Sequence, residues 1–195
     1  MTTVYFVRHA EPNYKNHDDM TRELTAKGLR DRELVTRFLT DKHVDAVLSS
    51  PFRRARETVE HFADSAGLPV EIVDDFRERR VDSVWIEDFL GFAERQWADF
   101  DYKLSDGESM REVQRRNIAA LNDVLVRYEG KTVAVGSHGT AIGAILNYYD
   151  RGFGYEEFCR VRKLMPWIVR LDFDGSEYKG RAFFNLFEIF APDVV

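Results

Sequence analysis

The sequence predicts an α/β fold: a three-layer α/β/α sandwich whose central sheet is mainly parallel and carries a hairpin at its edge. Three observations lead there. Short apolar runs of strand length alternate with longer segments of helical periodicity, the order that builds a parallel sheet covered by helices. Several of those runs are continuously apolar, as strands buried on both faces are. Near the end of the chain Asp174-Gly175 separates two strand-like runs, which is the turn chemistry of a hairpin. With 195 residues, 44% hydrophobic and 13% aromatic, the chain can fill one core without disulfide or metal staples. No repeat, low-complexity tract or Pro/Gly/Ser-rich linker divides it, so a single domain over residues 1–195 is expected.

The elements follow in order. Val4 to Val7 is an apolar run that stops at Arg8-His9 and reads as the first strand. Thr25 opens a helix as its N-cap, and Leu29, Leu34, Val35, Phe38 and Leu39 give that helix an apolar face. Val44 to Leu48 is the second strand, closed by Ser49-Ser50-Pro51. Pro51 suits the first turn of the next helix, where its missing N–H has no partner to lose. Ala55, Thr58, Val59, Phe62 and Ala63 form that helix's inner stripe, and Gly67 stops it. Val70 to Val73 reads as a third strand. A helical stretch around Val84 to Phe100 follows, then a long helix from about Ser109 to Tyr128 with Val113, Ile118, Leu121 and Leu125 inward. Lys131 to Gly136 is a further strand, ending at Ser137-His138-Gly139 before a helix through Ile142, Ile145 and Leu146. The hairpin pairs Trp167 to Phe173 with Glu177 to Phe184.

Composition narrows the function classes. Cys159 is the single cysteine, so no internal disulfide forms and nothing argues for an oxidising compartment. The N-terminus has no positively charged n-region and reads as a strand, not a signal peptide. No run approaches the roughly 18 apolar residues of a membrane span. A cytoplasmic protein without a membrane partner is expected. The net charge of −6 leaves no basic excess for binding nucleic acid. Arg53, Arg54 and Arg56 cluster locally, as do Arg77, Arg79 and Arg80. Most arginines in such runs are solvated, but an acidic protein that binds a small anion needs only a few of them aimed into one pocket. The sequence carries no signature that fixes an oligomeric state.

The chemistry is concentrated where strands end. Val7-Arg8-His9 and Gly136-Ser137-His138 each place a histidine just past the last apolar residue of a strand. Ligands of open α/β sheets bind outside the carboxyl ends of the strands, so both histidines are expected at a site. The second strand ends at Ser49-Ser50 on the same edge and launches the helix that carries Arg54. Two histidines and two arginines then meet near helix N-termini, whose free N–H groups favour anions. A tetrahedral dianion is the natural occupant, because the planar fork of arginine meets phosphate oxygens bidentately.

The order of these signals resembles the histidine phosphatase superfamily in its phosphoglycerate-mutase-like branch. The resemblance rests on Arg8-His9, Leu24-Thr25 with Gly28, Ser49-Ser50-Pro51 with Arg54-Ala55 and Thr58, Phe76-Arg77-Glu78, Gly107-Glu108-Ser109, and Gly136-Ser137-His138-Gly139. It implies a phosphomonoester hydrolase that acts through a phosphohistidine on a small phosphorylated metabolite, with no metal and no other cofactor. His9 is then the nucleophile. Arg8, Arg54 and His138 bind the phosphoryl oxygens. Glu78 is the general acid and base, with Glu11, Glu108, Asp75 and Asp82 as rivals. Asn16, Glu108, Ser109 and Gly139 are expected at the substrate. Where the family often continues Arg-His with Gly-Glu-Thr or Gly-Gln-Thr, this chain has Ala10-Glu11-Pro12. Pro12 removes a backbone donor and a hydroxyl, so a change in the far wall of the phosphate pocket is expected.

Rival readings remain beside this one. A bisphosphoglycerate-dependent phosphoglycerate mutase shares the phosphohistidine, but its family pattern has a longer insertion after the acid and an Arg-His-Tyr-Gly run, both missing here. A non-catalytic phosphate-binding or phosphoprotein-docking module on the same fold is a further alternative. His9, Glu11 and His17 lack a recognised zinc spacing. Trp85, Phe89, Phe92, Trp97 and Phe100 read either as a lid over an apolar substrate or as a helix packed on the core, and their spacing favours the core. Arg160, Arg162 and Lys163 read as a solvated face, with contact to a second anionic group of the substrate as the alternative. His17, His43 and His61 receive no role, and Cys159 reads as packing.

Overall fold

The computed structural model describes residues 1–83 and 85–191. Strands β1 (Thr2–Arg8), β2 (Ala46–Ser49), β3 (Val70–Ile72), β4 (Thr132–Ser137), β5 (Trp167–Asp174) and β6 (Glu177–Phe184) form one sheet in the order β3-β2-β4-β1-β5-β6. The first four run parallel, while β5 pairs antiparallel with both β1 and β6. The helices are α1 (Ala26–Leu39), α2 (Arg53–Ala66), α3 (Phe89–Ala98), α4 (Met110–Arg127), α5 (Gly139–Tyr149), α6 (Tyr155–Val161) and α7 (Leu186–Ile189). This is the mainly parallel α/β sandwich with an edge hairpin that the sequence predicts.

Side-chain alternation along the strands sorts the core into two halves. Val4 and Phe6 of β1, with Val133 and Val135 of β4 and Val169 and Leu171 of β5, point to one face and meet Val113, Leu121, Ile142 and Ile145. Tyr5, Val7, Ala134 and Ile168 point to the other and meet Val35, Phe38, Val59, Phe62 and Leu186. The central strands are apolar on both faces because helices cover both. Thus α3, α4, α5 and α6 lie on one side, and α1, α2 and α7 on the other.

Local chemistry sets the helix ends. Thr25 caps α1 by accepting from the Gly28 N–H, and Ser109 caps α4 in a capping box with Glu112. Gly67 ends α2 in the left-handed region at φ 66°. Gly28 has a different reason to be glycine: a Cβ there would stand 2.2 Å from the Glu11 carbonyl oxygen.

Several expected boundaries shift. α2 starts at Arg53, so Pro51 precedes the helix; Phe52 is its N-cap, held by a bond from its N–H to Ser50 Oγ. The stretch expected to be helical from Val84 to Phe100 yields only α3, because Asp88 caps it by accepting from the Gly91 N–H and Asp99 is extended. Val84 itself lies outside the described residues. Leu29, expected inward, is exposed. α6 and α7 had no counterpart in the reading of the sequence. No helix among the described residues is long and apolar enough to cross a membrane.

Candidate active site

Strand register brings the two histidines together. Arg8 pairs with Ser137 across β1 and β4, and Ser49 pairs with Gly136 across β2 and β4. The ladder continues one step beyond the strands, as His9 N–H donates to the Ser137 carbonyl at 3.2 Å and Ser50 N–H to the Gly136 carbonyl at 2.8 Å. Parallel strands ending at one level therefore set His9, Ser50 and His138 side by side. The rings of His9 and His138 meet edge to face with centroids 5.3 Å apart.

The tautomer of His9 follows from its partner. Nδ1 lies 2.8 Å from the Ala10 carbonyl oxygen, which can only accept, so Nδ1 carries the proton and Nε2 keeps its lone pair. Burial, then the charges of Arg54 and Arg8, push the His9 pKa well below the ordinary 6.5. The imidazole is therefore neutral at pH 7. Ala10 is itself fixed by its N–H bond to Thr58 Oγ1, whose hydroxyl donates to the Arg54 carbonyl. That chain of bonds explains why Thr58 belongs to the same motif as Arg54.

His138 N-caps α5 and is fully buried. Its Nε2 lies 2.8 Å from Ser50 Oγ, and its Nδ1 is buried without a partner among the described residues. Ser50 Oγ accepts from the Phe52 N–H and keeps its own proton available for His138 Nε2. With the Ser50 hydroxyl as donor, the proton of a neutral His138 sits on Nδ1. Burial, then Arg54 and His9, lower the His138 pKa well below 6.5. His138 sits against His9 and Phe52 but does not itself line the cavity above them.

The two expected arginines are both buried. Nη1 of Arg8 donates to the carbonyls of Val161, Arg162 and Leu164 at 3.2, 2.7 and 3.2 Å. Arg54 donates to the Asp19 carbonyl at 2.8 Å and pairs with its carboxylate at 3.1 Å. Burial lowers the pKa of each. Gly139 lies against Arg8, where a Cβ would come within 3.1 Å of Arg8 Cζ and Nε. Gly139 thus lines the cavity as expected and also makes room for the guanidinium.

Glu78 faces the same cavity. Its Oε2 accepts from the Thr140 N–H at 3.0 Å, and its Oε1 from the N–H groups of Ala141 at 3.1 Å and Arg79 at 2.8 Å. The carboxylate thus rests on the first turn of α5, beside His138. Its backbone is held from behind. Arg116 of α4 donates to the carbonyls of Asp75, Arg77 and Glu78 and pairs with Glu108 through Nε at 2.7 Å.

Three expected substrate residues sit elsewhere. Glu108 is bound by Arg116, Arg77 and the Arg80 N–H, and burial and Arg116 act in opposite directions on its pKa, which ends below the ordinary carboxylate range. Its place is behind Glu78, away from the cavity. The Ser109 hydroxyl is committed to the cap of α4. Asn16 braces its own loop: Nδ2 donates to Glu23, Oδ1 accepts from the Asp18 N–H, and its carbonyl accepts from Arg22. Pro12 lies off the cavity too, in an isolated bridge with Leu24.

The cavity of about 590 Å³ is walled by two loops, where the sequence offers Trp85 and Phe89 as lid candidates and Asp82 as a rival acid but gives no role to His17. Tyr14, His17, Asp19 and Arg22 come from the loop after β1, and Val81, Asp82, Trp85, Ile86 and Phe89 from the segment before and into α3. His17 stacks on Trp85 with centroids 4.1 Å apart, and the Arg22 guanidinium lies 5.8 Å from the Trp85 ring centre. The aromatic stretch therefore divides: Phe92 and Trp97 are buried, while Trp85 and Phe89 face the cavity. Arg79, buried between Phe89 and Phe92 and bound to Gln96, also reaches it, and burial lowers its pKa to about 10. Arginine identity gave no signal to separate Arg79 from its neighbours; only the fold does. Arg8, Arg22, Arg54, Arg79 and Arg162 face Asp19, Glu78 and Asp82, five cations against three carboxylates. Leaving the histidines out of the count, two positive charges remain with Glu78 ionised and three with Glu78 protonated, in a chain of net charge −6.

The profile of the histidine phosphatase superfamily (branch 1) matches residues 4–185. A probable phosphoglycerate mutase GpmB of Enterobacter sp. (strain 638) is 30% identical over 192 residues, covering 91% of this chain and 88% of that protein. Among solved structures, YhfR of Bacillus stearothermophilus superposes with a TM-score of 0.75 at 21% identity, covering 92% of this chain and 95% of that one. A phosphoserine phosphatase from Entamoeba histolytica, solved with 3-phosphoglyceric acid, superposes with a TM-score of 0.76 at 20% identity, covering 94% and 96%. At these identities the superpositions show the fold.

Proposed function

Because the chain belongs to the histidine phosphatase superfamily, we propose that it is a phosphomonoester hydrolase acting through a phosphohistidine on His9, with a small phosphorylated metabolite as substrate and no metal in the mechanism. One observation carries the reading. His9 Nδ1 is tied to the Ala10 carbonyl, so a neutral Nε2 faces a cavity lined by Arg8 and Arg54. A nucleophile needs that lone pair, which burial and then Arg54 and Arg8 keep unprotonated, and the same two arginines are the groups that bind the phosphoryl oxygens.

In this reaction Nε2 attacks phosphorus while the bond to the ester oxygen breaks, and Glu78 gives that oxygen its proton. Arg8 and Arg54 take the charge on the phosphoryl oxygens, and the Nδ1–H of His138, buried beside the His9 ring with no acceptor among the described residues, is the further donor available to them. Glu78 then accepts a proton from water, whose oxygen attacks phosphorus and releases His9 and inorganic phosphate. Hydrolysis of an aryl phosphate in EDTA by the wild type and by His9→Ala tests this. Activity in the first and its loss in a folded variant is expected; equal activity in both removes His9 from the mechanism.

The name of the GpmB relative favours a second reading, the mutase. A phosphate group carries about −1.5 to −2 at neutral pH, so a bisphosphoglycerate brings roughly four to five negative charges. The cavity offers a net two positive charges with Glu78 ionised, or three with it protonated, and an aromatic wall, which suits one phosphoryl group better. Hydrolysis of phosphomonoesters is expected to far exceed interconversion of 2- and 3-phosphoglycerate, and efficient bisphosphoglycerate-dependent turnover would reverse that assignment.

A further inference from the structure

Three of the five cavity arginines, Arg22, Arg79 and Arg162, have no task in the proposed hydrolysis, and Arg162 alone of these has no side-chain partner among the described residues. Arg162 lines the cavity with Phe158, four residues before it and hence on the same side of the helix end. Arg8 fixes that corner through the carbonyls of Val161, Arg162 and Leu164. Of the three cations crowded there in sequence, Arg160 is exposed and pairs with Glu157 at 3.6 Å, and Lys163 is exposed. Arg162 is the one turned inward. Its Nε is buried and meets no acceptor among the described residues. The Nε atoms of Arg8 and Arg79 are also without a partner among the described residues, but those guanidiniums are held through their other nitrogens, Arg8 by three carbonyls and Arg79 by Gln96, while Arg22 and Arg54 pair with Asp19. A half-buried guanidinium without acceptors loses hydration and gains nothing unless a ligand supplies them.

We propose that Arg162 is a specificity-determining residue that binds a carboxylate on the leaving group, with Phe158, Val81 and Trp85 flanking the apolar part between that carboxylate and phosphorus. This rests on the phosphomonoesterase reading, because it takes the phosphoryl group to lie at His9. The planar fork of arginine matches a carboxylate bidentately. A carboxylate is favoured over a second phosphate by charge. With Glu78 carrying the proton it donates, the cavity has a net three positive charges, of which the phosphoryl dianion offsets two and a carboxylate the third. A second phosphate would leave an excess of negative charge.

The test is calorimetric titration of the whole protein with phosphonates, which need no turnover. Two matched pairs differ only in a carboxylate: 3-phosphonopropionate against propylphosphonate, and 4-carboxyphenylphosphonate against 4-methylphenylphosphonate. The wild type is expected to bind the carboxylated member of at least one pair about tenfold to a hundredfold tighter, the range of a charge-assisted hydrogen-bond pair. Arg162→Met should bring that ratio close to one, and Arg162→Lys should leave it between. No preference in either pair, or a preference that survives Arg162→Met, overturns the proposal. If propane-1,3-bisphosphonate binds tighter than 3-phosphonopropionate and Arg162→Met removes the difference, the commitment to a carboxylate is overturned. In parallel, kcat/KM for 4-carboxyphenyl phosphate relative to phenyl phosphate should fall at least about tenfold in Arg162→Met. If the wild type hydrolyses neither ester, the hydrolase reading fails while the titration still decides Arg162.

Discussion

Gly139→Ala asks whether Arg8 must lie where the structure holds it. Gly139 opens α5 with a φ outside the left-handed region, so alanine suits the backbone. By reducing the freedom of the unfolded chain, the change on its own stabilises by about 0.4–1 kcal/mol. The new Cβ, however, would stand 3.1 Å from Arg8 Cζ and Nε and 3.3 Å from Nη2. Ordinary carbon contacts are about 3.5–4.0 Å, so the guanidinium must retreat by roughly half an ångström. It cannot swing aside freely, because Nη1 is held by three carbonyls. Misplacing a reacting group by about 1 Å costs on the order of a hundredfold, so a tenfold to hundredfold loss in kcat/KM is expected, or about 1.4–2.7 kcal/mol of transition-state stabilisation. The assay is kcat/KM on an aryl phosphate, run beside thermal unfolding and a titration with inorganic phosphate. Activity should fall and phosphate affinity weaken while the unfolding temperature stays level or rises. Activity within twofold of the wild type would refute the reasoning, and so would a loss that simply tracks unfolding.

The remaining expectations concern the groups around the histidines. Both His9 and His138 have folded-state pKa values well below 6.5, so each adds stability that is present above about pH 6.5 and lost as pH falls. Urea unfolding between pH 6.5 and 5.5 should show stability declining by up to about 1.4 kcal/mol per pH unit for each histidine, and a flat profile would contradict their neutral burial. The same shift places the acid limb of kcat/KM due to His9 below pH 6.5, and a limb at or above the ordinary value would count against it. Ser50→Ala removes the partner of His138 Nε2 and leaves the tautomer unspecified. Loss of about 1–3 kcal/mol of hydrogen-bonding should lower kcat roughly tenfold or more, and proton NMR of the imidazole should show the Nδ1–H signal weakened; unchanged kcat rejects the assignment. Glu108→Ala strands the buried charge of Arg116 and should cost about 2–4 kcal/mol of stability by urea unfolding, whereas a shift under about 0.5 kcal/mol would show that the pair is not structural.

What the sequence determined is what depends on short-range physics. Continuous apolar runs, helical stripes and the Asp174-Gly175 turn predicted the sandwich and its edge hairpin, because strand burial and turn conformation are local demands. Histidines just past strand ends were legible as a pair because parallel strands in one sheet finish on a common edge. What the tertiary structure decided is which polar side chains that edge collects. Glu108, Ser109 and Asn16 carry the right chemistry for a substrate contact, yet each is consumed by a nearer partner: Arg116, the α4 N-terminus and the loop around Glu23. Arg79 and His17 carry no sequence signal that separates them from solvated neighbours, and for Trp85 and Arg162 contact with the substrate is the less favoured of two readings; all four face the cavity because α6 and the two loops close on it from separate parts of the chain. A hydrogen bond or an ion pair goes to whichever partner the packed fold brings within about 3 Å, and sequence spacing does not encode that distance.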